Sequence, residues 1–212
     1  VRLYKWYDYG MRCLFLNIAS HDGVVACVDD HAVLSLQDLS TRVRDHELLA
    51  LTEQCLESAG WDYENLTAVA CAIGPGGFTS LRIVVAYANT LVHQLRILGV
   101  GIHLSDLYRA RLEVSDAVWL HATKRDALFV RGFGALAALW PQPVLLSIEE
   151  TMHSIPQGTQ WAGELLEQQQ EVLSSLALRK APLLPLPNVL PTFLNTLPMR
   201  TELLQPWYGR TW

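Results

Sequence analysis

Charge is scarce in this sequence. Of its 212 residues only 17% are charged while half are hydrophobic, the reverse of the balance that keeps a chain disordered. Long apolar runs are missing too. None approaches the ~20 uninterrupted residues of a membrane span, because Arg, Asp or Pro interrupts each one. Basic charge is in deficit, with 16 Lys and Arg against 21 Asp and Glu. That argues against tight, unaided binding to a nucleic-acid backbone, where neutralised phosphates supply most of the affinity. The last stretch, 179–212, departs from this with four basic residues and one acid. Cysteine is sparse and unpatterned: Cys13, Cys27, Cys55 and Cys71 form no Cys-x-x-Cys pair. Reduced core thiols of a cytoplasmic protein are the expectation. Arg2 and Lys5 are followed by Asp8 and by no small-residue cleavage site. No signal peptide is therefore expected, and residues 1–10 read as an extension ahead of Met11.

Several catalytic signatures are lacking as well. The seven histidines, at 21, 31, 46, 93, 103, 121 and 153, form neither a His-x-x-x-His nor a His-Glu-x-x-His pair, so no metal is expected. There is no Gly-x-Ser-x-Gly nucleophile elbow and no cysteine beside an obvious base. Asp29-Asp30 and Glu149-Glu150 are adjacent carboxylates, which point apart on a strand or helix, and read as loop or cap charges. Seven tryptophans and seven tyrosines lack an interleaved basic pattern and read as core or interface residues.

What is present is alternation of strands and helices. Apolar runs at 13–19, 23–28 and 32–36, joined by short polar turns, predict an antiparallel meander. Leu48, Leu51, Cys55, Leu56 and Ala59 recur at helical spacing between an N-cap at Asp45 and a C-cap at Gly60. A strand at 68–73, a helix at 79–95, a strand at 100–102 and a helix at 105–110 follow. The second half is less regular: a hairpin of 117–120 with 128–133, a helix at 165–178, and a proline-rich stretch that reads as a terminal segment draped over the fold. The expected organisation is an α/β lobe at 11–111 with the order β-β-β-α-β-α-β-α, then a smaller, divergent lobe at 112–212.

The most informative segment is Gly74-Pro75-Gly76-Gly77-Phe78-Thr79-Ser80, set between strand and helix. Such a turn offers backbone N–H groups to an anion, which makes Gly74, Gly76 and Thr79 candidate nucleotide contacts. It lacks the lysine of a phosphate-binding P-loop, and Thr79 stands where a dinucleotide fingerprint has its third glycine. The spacing favours a tight turn with Thr79 as helix cap. Arg82 in the first helical turn is open to two roles, pairing with an acid or simple solvation.

The run Ala72-Ile73-Gly74-Pro75-Gly76-Gly77-Phe78-Thr79-Ser80-Leu81-Arg82-Ile83 resembles the Gly-Pro-Gly-Ser-Phe-Thr-Gly-Leu-Arg-Ile-Gly signature of the TsaB (YeaZ) family. Arg44-Asp45-His46-Glu47-Leu48-Leu49 is similar to that family's Arg-x-His-Ser-Glu segment, and Pro206-Trp207-Tyr208-Gly209-Arg210 to its Pro-x-Tyr-x-Arg close. The resemblance implies an actin-like ATPase (ASKHA, RNase H-like) two-lobe fold. It also implies a role as the non-catalytic partner of a catalytic paralogue that transfers threonylcarbamoyl to adenosine of tRNA, with an ATPase subunit completing the set. On this reading tRNA is met only indirectly, no cofactor is held tightly, and ATP or ADP belongs at the partner interface. A homodimer is the alternative assembly. The departures weigh on chemistry. Asn17 replaces the aspartate that ends the family's first strand, removing a hard oxygen ligand for Mg²⁺. Leu120-His121-Ala122-Thr123 replaces Ile-Asp-Ala-Arg.

Val84, Val85, Ala88, Leu91, Val92 and Leu95 cover more than one apolar stripe of their helix, and the excess suits docking against a subunit of the same fold. His46, Leu49, Phe78, Arg82, Val85 and Ala88 are the expected partner contacts, although His46 is as well explained as a polar residue of a first helical turn. Two alternatives remain: an active actin-fold kinase or carbamoyl transferase, which needs an acid at 17 and a second phosphate loop, and a glycoprotease-like metallopeptidase, which needs the missing histidine pair.

Overall fold

The apolar run after Met11 becomes a central strand because both of its faces are covered. A computed structural model describes residues 10–18, 20, 23–39, 47–122 and 124–209. Strands β1 (Arg12–Asn17), β2 (Gly23–Asp29) and β3 (Val33–Leu39) form the expected antiparallel meander. β4 (Ala68–Gly74) pairs parallel to β1, and β5 (Leu98–His103) parallel to β4, giving the order β3-β2-β1-β4-β5. Helices α1 (Glu47–Ser58) and α2 (Phe78–Leu95) are the crossovers. Near-continuous apolar strands are what a sheet buried on both faces requires. Leu14, Leu16, Val25, Cys27, Val69 and Cys71 meet both helices in one core, and the alternate residues Cys13 and Phe15 are equally buried. Gly60 ends α1 as expected: its φ of +69° is the left-handed conformation that glycine adopts freely, and Trp61 N–H returns to the Leu56 carbonyl at 2.9 Å. The predicted N-cap Asp45 lies outside the described residues.

The second half is more ordered than its composition suggests. After α3 (Leu104–Arg111), β6 (Ala117–Ala122) and β7 (Ala127–Phe133) form the expected hairpin. β8 (Val144–Ser147) extends it, and α4 (Ile148–Ser154) starts directly from a capping box of Ser147 and Glu150. β9 (Gln160–Glu164) runs parallel to β6, and the two-residue β10 (Arg179–Lys180) parallel to β9. The order β10-β9-β6-β7-β8 is thus a second complete five-stranded sheet. The helix expected at 165–178 is shorter, α5 (Glu167–Leu173) followed by a 3₁₀ turn. β9, with the sequence Gln-Trp-Ala-Gly-Glu, has no β-branched residue and owes its conformation to pairing with β6.

The proline-rich stretch needs correcting. It contains α6 (Leu186–Asn195), a ten-residue helix with Pro191 inside it. Pro187 falls in the first turn, where amide hydrogens lack intrahelical partners anyway, so only Pro191 costs a hydrogen bond. The burial of Val189, Leu190, Pro191 and Leu194 offsets that loss. The chain divides into two compact units: the residues up to His103 with Leu186–Tyr208, and Leu104–Pro185 with Gly209. The division falls at 103/104 rather than at 111/112 because α3 lies against β9, and residues 186–208 join the first unit because α6 lies against β2 and β3 while Arg200 bridges to Gly99 of β5. Both units are α/β, as expected for the actin-like two-lobe fold. No helix of the described residues is long and apolar enough to cross a membrane.

Candidate functional site

The Gly-rich turn links the end of β4 to α2. Gly77, in extended conformation, is the N-cap of α2, and its carbonyl accepts from Leu81 N–H at 2.9 Å. Thr79 is therefore not the cap. It already lies in the helix, exposed, where its hydroxyl cannot reach back to the first amides. Phe78 opens the helix with 57% of its surface exposed. The Arg82 guanidinium lies 5.4 Å from the Phe78 ring centroid, so it takes neither an acid nor plain solvation but a cation–π contact.

Farther along α2 the expectation fails. Val85 and Ala88 were expected to meet a partner, yet they are buried with Leu81, Val84, Leu91 and Val92 in the first unit's own core. Small residues on the sheet explain how it absorbs so wide a stripe. A Cβ at Gly99 would fall 2.8 Å from Val92 Cγ2, so the helix seats close against β5. Leu49 on α1, by contrast, is 53% exposed. His46 lies outside the described residues.

A segment distant in sequence closes over the turn. Trp207 N–H donates to the Ile73 carbonyl at 2.7 Å, and the Trp207 indole meets the His103 ring edge-on at 4.4 Å. Tyr208 packs on Phe78 with ring centroids 5.0 Å apart. Gly74, at φ +144°, can have no side chain here because a Cβ would fall on the Trp207 carbonyl oxygen. Of the three proposed nucleotide contacts, Gly74 is covered by this carbonyl, Gly76 is half-buried and Thr79 is exposed. At the end of β1, Asn17 is buried and its amide nitrogen donates to Ser20 Oγ at 2.7 Å. A neutral amide and a covered glycine do not suit a metal-bound nucleotide, which needs anionic oxygen for the ion and open amides for phosphate.

Other titratable groups settle into structural roles. Asp29 accepts from the His31 and Ala32 amides at 2.8 and 2.7 Å, and the Glu150 carboxyl is held below its ordinary range by the Ser147 N–H it caps. All four cysteines are buried and free. Burial pushes the Cys13 and Cys71 thiols up to about 12. The Cys27 thiol is also pushed up, by its hydrogen bond to Cys55 and by burial.

Among the described residues no group of three or more His, Cys, Asp or Glu could hold a metal ion. The sequence reading missed a buried polar cluster in the second unit. Tyr108 donates to Glu164 Oε1 at 3.2 Å, His121 Nδ1 lies 3.8 Å from Glu164 Oε2, and the Trp119 ring stacks on His121. His121 and Glu164 are register partners on β6 and β9. Their separation by 43 positions carries no local signal that could have joined them.

Comparison with known proteins bears on this arrangement. A structure described as an uncharacterised protein with similarity to the peptidase YeaZ from Pseudomonas aeruginosa aligns with a TM-score of 0.68 at 17% identity, covering 94% of this chain and all of that one. YeaZ from Pseudomonas aeruginosa aligns with a TM-score of 0.59 at 17% identity, over 86% of this chain and 89% of that one. The fold is that of YeaZ. Residues 39–116 match the family described as TsaD, tRNA N6-adenosine threonylcarbamoyltransferase. A tRNA N6-adenosine threonylcarbamoyltransferase of Limosilactobacillus fermentum is 40% identical over 81 residues, 37% of this chain and 23% of that enzyme. The chain therefore spans less than a quarter of the length of the curated relative it matches. Together these similarities support the TsaB (YeaZ) resemblance carried by the Gly74–Ile83 run.

Proposed function

We propose that this chain is a non-catalytic partner subunit in the formation of N6-threonylcarbamoyladenosine in tRNA, docking onto a catalytic paralogue of the same fold. An ATPase subunit completes the set, and tRNA is contacted only through the assembly. The observation that carries this reading is a match of residues 39–116 to the threonylcarbamoyltransferase family inside a chain that aligns with YeaZ over 86% of its length. Asn17 supports the non-catalytic part, since its amide brings no charge to a metal ion.

The docking surface consists of Phe78 and Arg82 at the start of α2 with Leu49 on α1. α1 and α2 follow β3 and β4 and both lead off the same end of the sheet, because these two strands run in the same direction. Aromatic residues and arginine are both enriched in protein interfaces, and Phe78 and Arg82 present one of each at the surface. ATP or ADP enters this reading only at that interface, where Thr79 is accessible. A cytoplasmic location goes with the role.

The test mixes the purified chain with the threonylcarbamoyltransferase subunit of its own source and measures mass in solution. A one-to-one complex is expected, and Phe78→Glu should weaken it by roughly a hundredfold or more with the melting temperature unchanged. Absence of any complex, or a Phe78→Glu variant that binds normally, overturns the reading. Separately, the isolated chain should show no ATP turnover above a mock preparation. Turnover abolished by Asn17→Ala would favour the active-enzyme alternative instead.

A further inference from the structure

The segment Arg200–Tyr208 contacts the first unit at a series of points, most of them made through its backbone. Arg200 exchanges two backbone hydrogen bonds with Gly99 of β5, at 2.6 and 2.9 Å. Leu204 exchanges two with the side chain of Asn89 on α2: its amide donates to Oδ1 at 2.8 Å, and Nδ2 donates to its carbonyl at 3.0 Å. Trp207 donates to Ile73 at the end of β4 and sets its carbonyl over Gly74, and Tyr208 lies against Phe78. The segment thus runs from an edge strand, along a helix, to the turn that starts the same helix.

The side chains on its path match this course. Asn89 is half-buried in the middle of α2, where asparagine is a poor helix former, yet its amide is what a passing backbone needs: one donor and one acceptor. Gly74 lacks the Cβ that would collide with the Trp207 carbonyl.

The geometry points to a strap: Arg200–Tyr208 holds the start of α2 in place and so fixes the shape of the Phe78–Arg82 surface, making Asn89, Trp207 and Tyr208 positioning residues for the docking of the catalytic paralogue. The identity of the docking partner rests on the function proposed above; the strap itself does not. Its consequence is that the surface is composite. Phe78 and Arg82 supply the exposed groups, and residues about 130 positions later hold them still. An aromatic side chain fixed before binding loses less entropy on docking than one that must be ordered by the partner.

Hydrogen exchange of the full chain tests this without any partner. In the unmodified protein the Leu204 and Trp207 amides should be protected. Asn89→Ala removes both clamp bonds and should speed exchange at Leu204, Trp207 and the first bonded amides of α2, Leu81 to Ile83, by about tenfold or more. Amides of β1 and β4 should change by less than about twofold. Trp207→Ala should act in the same way, and serves if Asn89→Ala fails to fold. Fast exchange at Leu204 and Trp207 in the unmodified protein overturns the strap. So does a variant that frees those amides and leaves Leu81 to Ile83 unchanged, or one that loosens β1 and β4 equally. Binding of the catalytic subunit supplies a second readout, with Tyr208→Ala weakening it and Tyr208→Phe, which keeps the ring, preserving it. If the unmodified chain binds no such subunit, the proposed function fails while the exchange data still decide the strap.

Discussion

The two units follow one plan with different materials. Each sheet begins as an antiparallel meander of three strands, continues through a helix to a strand parallel to the first, and ends through a second helix in another parallel strand. The lengths diverge from the third strand onward and most strongly at the end. The second crossover helix has 18 residues in the first unit and seven in the second, and the final strand has six residues against two. The residues at or next to the strand ends diverge as well: Asn17 and Gly74 in one unit, His121 and Glu164 in the other. The shared topology survives because pairing and burial tolerate many sequences, whereas the groups at the ends of parallel strands decide what each unit can bind.

The sharpest way to break this comparison is to charge the helix that each unit uses as a lid on its sheet. Ala88 in α2 and Leu173 in α5 are both buried in the core of their own unit. Ala88→Glu and Leu173→Glu each place an unpaired carboxylate among apolar neighbours and should cost about 3–5 kcal/mol of unfolding free energy. Neighbouring exposed positions, Ala86 in α2 and Val172 in α5, should accept glutamate within about 0.5 kcal/mol. Urea titration of the four variants reads this directly. An Ala88→Glu protein with an unchanged midpoint would return α2 to the partner-facing role that its wide apolar stripe first suggested.

That stripe shows where the sequence was legible and where it was not. Strong local signals held: continuous apolar strands, the 3.6-residue period of α1 and α2, and Gly60 as a helix stop. Counting apolar positions on α2 misled, because the width of a stripe does not reveal how closely a sheet lets a helix approach. Gly99 decides that, and it lies in another element. β9 and β10 were invisible because their conformation comes from neighbours 43 and 19 residues away rather than from their own residue types. Pro191 misled too, suggesting a draped segment without long elements where burial carries a ten-residue helix. Of the candidate site, Phe78 and Arg82 were found from the motif. The Trp207 carbonyl over Gly74 was not, since only the folded chain brings residues 133 positions apart together.

A smaller effect separates the units by chemistry. All four cysteines belong to the first unit. Burial raises the Cys13 and Cys71 thiols from 9.0 to about 12. In the unfolded chain these thiols ionise near 9, so above that pH the unfolded state binds fewer protons than the native state. The stabilisation is thus complete below pH 9 and is lost as pH rises toward 12. The slope is on the order of 1 kcal/mol per pH unit for each thiol. Between pH 9 and 10 the protein should lose more stability than a Cys13→Ala, Cys71→Ala variant measured over the same interval. Identical slopes would show that these thiols ionise as freely in the fold as outside it.

The smallest contrast is between two ion pairs. In the second unit Arg131 reaches Asp106 at 2.6 Å and Ser105 Oγ at 2.7 Å, and its guanidinium also lies 5.4 Å from the Phe133 ring centroid. The Arg131 side chain is 19% exposed, so water screens the pair only in part. Arg131→Met keeps much of the stem that packs on Phe133 while deleting the charge. It should cost about 1–2 kcal/mol, with Asp106 half-exposed and able to recover water. In the first unit Arg200 pairs with Glu202 at 3.6 Å, with side chains 65% and 76% exposed. Here the charge adds almost nothing, because two long exposed side chains lose as much entropy as the screened attraction returns. Arg200→Ala should therefore change stability by less than about 0.5 kcal/mol. It should also leave the two backbone bonds to Gly99 in place, visible as unchanged exchange at the Gly99 amide. A loss comparable to that of Arg131→Met would mean that the strap is held at this point by its side chain, and that the backbone bridge to β5 is secondary.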